Sequence, residues 1–248
     1  MKIEKNILIK IGGSLLAPKD SQKKDFQVVK FLSEIIKKFP DKIFFIVNGT
    51  GNVGHGFVKK NELNEKNILI LQQKLQNFFA EIDAEFFKNG VKKKDFQRFE
   101  THKIFLDEKK FFLDGKKIFD KKINIFGGDI LENGKIISSD KIFGDIINFF
   151  EKKGEKFSGF FTGDTDGVYD ENGKTIEKIF LEDFEKIDFF EKKGDQTGGM
   201  KNKFLELFGK SFDEIIIFNG EKFSNWEKIF FDIGGNFDFF TKVLAKKG

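Results

Sequence analysis

Cysteine is absent from the 248-residue chain, which excludes disulfide frameworks, thiolate metal sites and cysteine nucleophiles. Arginine occurs once, at Arg98, so bidentate guanidinium clamps are nearly unavailable and anions fall to lysine and backbone amides. Proline is found only twice, and no long Pro- or Ser-rich linker divides the chain. No stretch approaches the length of uncharged apolar sequence that spans a bilayer, and the apolar run near the N-terminus is short, Lys-flanked and stopped by a glycine pair. A soluble, cytoplasmic protein with no membrane partner is expected. An excess of one charge is missing as well. The 44 basic and 40 acidic residues leave a net +4, scattered along the chain, so a nucleic-acid partner has little in its favour.

What is present fits a globular fold. Hydrophobic residues make up 39% of the chain, and adding glycine brings the apolar share to about half, ordinary for a packed domain. Phenylalanine supplies 37 residues, a bias in which Phe takes core positions that Leu usually holds. No internal repeat interrupts the sequence, so one domain over residues 1–248 is expected, with a functional division near Phe150.

Periodicity gives the element order. An apolar run at 7–11 is stopped by Gly12-Gly13-Ser14, as in a buried strand. Phe26, Val29, Leu32, Ile35 and Phe39 predict an amphipathic helix over 23–38, closed by Pro40. A strand at 43–47 enters the glycine-rich loop 48–54, and helical spacing from Ile68 to Phe86 predicts the longest helix over 64–89. Alternation over 103–119 with Asp114-Gly115 predicts a β-hairpin flap. A strand at 123–126, a small hairpin through Asn133-Gly134, a helix at 140–152 and a strand at 157–161 follow. Further on, 180–190 and 201–208 are expected to be helical, with a glycine-rich loop at 194–200 and a strand at 215–218. This order is that of an α/β fold built on a parallel sheet with right-handed crossovers.

Four of the strands run into Gly-containing polar loops, at 12–14, 49–55, 127–129 and 163–167. Ligands of open α/β sheets bind off the carboxyl ends of the strands, so these loops imply one shared crevice. Glycine lets several backbone N–H groups approach an anion closely, and phosphate is the natural guest. The spacings match neither a P-loop nor a dinucleotide turn. Lys10 lies inside an apolar strand, where an unpaired ammonium is costly. His55 closes a loop with glycines at 49, 51 and 54, whereas His102 sits in a polar stretch without a motif and reads as structural or exposed. Asp164 and Asp166 double as turn formers.

Taken together, Lys10-Ile-Gly-Gly-Ser14 with Lys19, the loop ending Gly54-His55, Gly128-Asp129-Ile130, Asp164-Thr-Asp-Gly-Val168 and Gly198-Gly199-Met200 with Lys203 resemble the amino acid kinase superfamily over almost the whole chain. Val58-Lys59-Lys60 after the Gly-His pair, Ile136-Ile137-Ser138 before Asp140, and Asp195-Gln-Thr-Gly-Gly-Met200 are most similar to the isopentenyl phosphate kinase group. The resemblance implies a three-layer αβα sandwich with a mainly parallel central sheet, usually a homodimer, that moves the γ-phosphoryl group of ATP to an acceptor with Mg2+ present.

The resemblance also implies the roles of particular residues. Lys10, Lys19 and Lys203 would be catalytic, handling phosphate charge. Gly12, Gly13, Ser14, Gly51, Asp164, Gly198 and Gly199 would join Lys10 and Lys203 around ATP, while Gly49, Thr50, His55, Gly128 and Asp129 would hold the acceptor. No residue is assigned as a direct metal ligand. The histidine matching His55 donates to the acceptor's existing phosphate in the phosphate kinases of the group. This favours a small phosphomonoester, isopentenyl phosphate first, bound mainly by residues 1–150, with the nucleotide mainly on 151–248. A phosphonate, UMP or amino-acid carboxylate acceptor stays open, as does a non-catalytic nucleotide-binding domain. Asn48-Gly49-Thr50-Gly51 stands where the family usually shows His-Gly-Gly-Gly, so Thr50 brings a Cβ to a place where backbone freedom is often needed. Gly234-Gly235-Asn236-Phe237 stands where a Gly-Thr pair is common.

Overall fold

The computed structural model describes residues 3–18, 23–107, 110–111, 118–187, 205–231 and 239–245. β1 (Asn6–Ile11) is buried at every position, the mark of a strand covered on both faces. It leads into the single turn α1 (Gly13–Leu16), then α2 (Gln27–Lys38), β2 (Ile43–Asn48), α3 (Gly51–Val58) and the long α4 (Glu65–Lys88). β3 (Phe96–Arg98), the turn α5 (Thr101–Ile104) and the pair β4 (Phe105–Asp107) and β5 (Lys110–Phe111) precede β6 (Ile123–Gly127). After the hairpin β7 (Asp129–Ile130) and β8 (Ile136–Ile137) come α6 (Ser139–Lys153), β9 (Phe157–Gly163) and β10 (Lys178–Phe180). A 3-10 helix at Leu181–Lys186, β11 (Glu214–Asn219), α7 (Phe223–Phe231) and β12 (Phe240–Leu244) complete the described chain.

Among the described residues, eight strands form the central sheet in the order β10-β12-β11-β9-β1-β2-β6-β3. Every pairing from β11 to β3 is parallel. Only β12 against β11 runs the other way, carrying β10 with it. Alternate side chains of β1 feed two cores. Ile7, Ile9 and Ile11 pack with residues of α2, α4 and α7, whereas Leu8 joins Ile142, Phe143, Ile146 and Phe150 of α6 on the opposite face. The result is the expected αβα sandwich. The phenylalanine bias is absorbed by both layers, with Phe45 edge-on to Phe150 at 4.9 Å and Phe160 against Phe230 at 4.8 Å.

The long helix keeps its expected limits because Asn64 caps it, its side chain accepting from the Asn67 amide at 3.0 Å. The hairpin through Asn133-Gly134 also forms, with Gly134 at φ +81° and Asp129 opposite Ile137. Two expectations are corrected and a third, the hairpin over 103–119, is met in part. α2 starts at Gln27 rather than 23, since the Asp25 carboxylate takes the Gln27 amide at 2.9 Å, a local bond that competes with helix. The β4–β5 ladder pairs Phe105 with Phe111 and Asp107 with Lys110, ahead of Asp114-Gly115, which lies outside the described residues. Of the helix expected over 180–190, Phe180 belongs to β10, which pairs with β12, and Leu181–Lys186 is a 3-10 helix. Leu181 and Phe184 are both buried, and their spacing of three suits the tighter winding as well as an α-turn. The glycine-rich loop 194–200 and the first half of the helix expected at 201–208 lie outside the described residues, and 206–208 are turn.

Candidate functional site

The carboxyl ends of β1, β2, β6, β9 and β11 meet along one rim, and backbone bonds lace each loop to the neighbouring strand. Gly12 donates to the Thr162 carbonyl at 3.0 Å, Gly49 to Ile11 at 2.8 Å, Gly128 to Asn48 at 3.2 Å and Gly220 to Gly163 at 2.8 Å. The first two glycine loops touch. A Cβ on Gly13 would stand 2.2 Å from the Gly51 nitrogen, and one on Gly49 would stand 2.4 Å from the Gly13 nitrogen. Glycine is therefore required there by packing alone, and Gly51 adds a left-handed φ of +51°. At Gly163 nothing among the described residues lies within 4 Å of where a Cβ would be.

Thr50 proves unstrained, contrary to the concern its Cβ raised. Its φ of −90° and ψ of −15° suit any residue. Its side chain takes up room that two glycines concede: a Cβ on Gly54 would come within 2.3 Å of Thr50 Oγ1, and one on Gly128 within 3.3 Å of its methyl. The neighbouring Asn48 is fully buried, and its amide nitrogen and oxygen have no hydrogen-bond partner among the described residues.

Lys10 projects to the α6 side of the sheet and is only 5% exposed. Its ammonium lies 2.7 Å from Asp140 Oδ1 and 4.2 Å over the Phe161 ring, the partners a buried cation requires. Asp140 sits in the first turn of α6, whose N-cap Ser138 accepts from the Lys141 amide at 3.0 Å. Asp140 was not among the expected site residues. A serine cap followed by an acid in the first turn was visible in the sequence, but its pairing with Lys10 depends on the crossover that brings α6 over β1.

Asp129 is engaged elsewhere. One carboxylate oxygen accepts from the Ile130 amide at 2.9 Å, and the other lies 2.8 Å from His102 Nδ1 and accepts the His102 amide at 3.3 Å. Gly128 rests beside Ser139 and Thr50. His55 is on α3 and exposed, as is Asp164 in the turn after β9; Ser14 is half-buried on α1. Asp166 serves as scaffold: Lys222 donates to it at 2.6 Å, a bond that raises the Lys222 pKa. Lys19, Gly198, Gly199 and Lys203 lie outside the described residues. The single arginine is taken up by α4, with Arg98 Nε donating to Asp83 Oδ2 at 2.8 Å and its guanidinium 4.9 Å from the Phe79 ring.

Among the described residues, no group of three or more His, Asp or Glu side chains is placed to hold a metal ion. Nor is any described helix long and apolar enough to cross a membrane. A lysine ammonium set among glycine turns at strand ends suits the oxygens of a phosphate.

The sequence pattern of the amino acid kinase family matches residues 5–209. No curated protein matches the chain. Among solved structures, an isopentenyl phosphate kinase is similar with a TM-score of 0.70 at 17% identity, covering 96% of this chain and 99% of that one. The T. acidophilum isopentenyl phosphate kinase in its product complex gives 0.68 at 16% identity with the same coverage. UMP kinase from Bacillus anthracis gives 0.65 at 14% identity, over 99% of this chain and 98% of that one. At such identities the likeness is one of fold.

Proposed function

The chain belongs to the amino acid kinase family, and on that premise we propose that it transfers the γ-phosphoryl group of ATP to a small phosphomonoester, isopentenyl phosphate foremost. The observation that carries this reading is the buried Lys10 ammonium, paired with a partly exposed Asp140, at the carboxyl end of the central strand and bordered by glycine turns. Phosphoryl transfer needs no protein nucleophile; it needs aligned reactants and fixed positive charge on the moving oxygens.

Lys10 supplies that charge from a site where low dielectric strengthens it, and Asp140 holds its ammonium in place. Gly12, Gly13, Ser14, Gly51 and Asp164 would border the nucleotide, with Gly198, Gly199 and Lys203 on its phosphates and Lys19 on the transferred group. On the acceptor side, His55 donates to the phosphate already present, supported by Gly49, Thr50, Gly128 and Asp129. Mg2+ would arrive with the nucleotide and offset phosphate charge there, since no carboxylate cluster among the described residues is placed to hold it. Sheet order supports a division of labour. β9 to β12 all lie on one side of β1, and β2, β6 and β3 on the other, in keeping with a nucleotide part at 151–248 and an acceptor part at 1–150. Assembly as a homodimer belongs to the same proposal.

A coupled ADP-release assay across isopentenyl phosphate, UMP, a phosphonate and an amino-acid carboxylate tests the reading. The greatest kcat/KM is expected for isopentenyl phosphate. A higher value for another acceptor reassigns the substrate, and tight ATP binding with turnover of none of them overturns the kinase in favour of a regulatory nucleotide-binding domain.

A further inference from the structure

His102 has no task in the chemistry above, yet it holds one of the acceptor-side residues. We infer that His102 is a positioning residue: it fixes the Asp129 carboxylate, and through it the 127–129 loop, in the arrangement that receives the acceptor. The inference rests on the kinase reading.

Both Asp129 oxygens are occupied, one by the Ile130 amide and the other by His102, whose ring nitrogen makes the shorter contact, 2.8 Å against 3.3 Å for its amide. A carboxylate so tied, and only 9% exposed, acts as a link rather than as a free base. Because Nδ1 faces a carboxylate, it carries the proton in that contact. Nε2 lies 3.3 Å from Glu100 Oε2, but Glu100 is half-exposed and shared with Lys103 at 2.8 Å, so this outer contact is the weaker.

The imidazole is not what keeps α5 in place. Thr101, buried at the start of that turn, donates its hydroxyl to the Gly127 carbonyl and joins α5 to the end of β6 by itself. What the ring adds is the shorter of the two ties from His102 to Asp129. The loop it steadies leans on the Thr50 methyl through Gly128, and Thr50 is the N-cap of the helix that bears His55. Displacement of Asp129 therefore travels toward the acceptor and away from the strands of the proposed nucleotide half.

The test uses the full chain with His102→Ala and His102→Asn, the amide of Asn standing close to where Nδ1 does. Steady-state kinetics with isopentenyl phosphate and ATP are measured beside hydrogen exchange at the Ile130 amide, which Asp129 accepts directly. His102→Ala should raise the isopentenyl phosphate KM about tenfold, the size expected for a hydrogen bond to a charged group. The ATP KM should stay within about twofold, and Ile130 exchange should quicken. His102→Asn should recover most of both effects. Unchanged acceptor KM and unchanged exchange in His102→Ala overturn the inference, as does an Asn variant no better than Ala, which would assign the effect to ring packing. If the wild-type chain phosphorylates no acceptor, the kinase reading falls, while Ile130 exchange in the two variants still decides whether His102 holds Asp129.

Discussion

At Lys10 a charge stands where a strand interior normally admits only hydrocarbon, and everything around it serves to make that tolerable. Lys10→Met keeps most of the volume and removes the ammonium. We expect kcat to fall about 10^2- to 10^3-fold, the loss typical of one electrostatic donor, with a modest change in ATP affinity. Single-turnover phosphoryl transfer beside nucleotide calorimetry measures the two separately. Asp140→Asn instead strands a buried cation, and should cost about 3 kcal/mol of stability in urea unfolding besides impairing transfer. Adding Lys10→Met to that variant should restore stability and leave activity low. A double variant no more stable than Asp140→Asn alone would show that the pair is not what Asp140 contributes. The lysine and the glycine turns were legible in sequence because each sits at the end of an apolar run, a local pattern. Asp140 and His102 were not, since a side chain's partner in another element is set by how the chain folds back.

Among the elements, α4 and β6 meet at a contact no larger than a hydrogen atom allows. The Phe79 ring lies over Gly127 so closely that a Cβ there would come within 2.2 Å of it, and Arg98 of β3, clamped to Asp83 of α4, stands by the same ring. Gly127→Ala should destabilise the protein by about 1–3 kcal/mol through overpacking, and Phe79→Leu in the same chain should return part of that loss. Thermal unfolding of the two single variants and the double closes the cycle; strictly additive effects would mean the two positions do not share the contact. Elements whose signal is a period came through well, α4 and α6 above all. β10 did not, because its three residues form a strand only by pairing with β12 far along the chain, and apolar positions three apart at Leu181 and Phe184 satisfy either kind of helix.

At the scale of the molecule, the segment after the undescribed 188–204 stretch docks on α6 where Gly144 leaves room: a Cβ there would stand 2.6 Å from the Glu206 carbonyl and from Lys210 Cε. Burial raises the pKa of Glu206 above 4.5, against the pull of Lys141 and Lys210, and burial lowers that of Lys210, against Asp145 and Glu206. A carboxyl that binds its proton more tightly when folded adds stability that is complete below its unfolded pKa and is lost as pH rises through the folded one. Ionised Glu206 thus weighs on the native state near neutrality. Glu206→Gln should unfold at higher urea than the wild type at about pH 7 and show a flatter stability profile just above 4.5. A variant less stable at neutrality would mean that its ion pairs outweigh its burial.

The place of β1 in the middle of the sheet has a consequence for biosynthesis. One flank of β1 can be covered as soon as β2 leaves the ribosome, but the other waits for β9, which begins only at Phe157. Until then the nascent chain carries an apolar strand with a naked edge, the kind of surface that recruits chaperones or zips onto a neighbouring polypeptide.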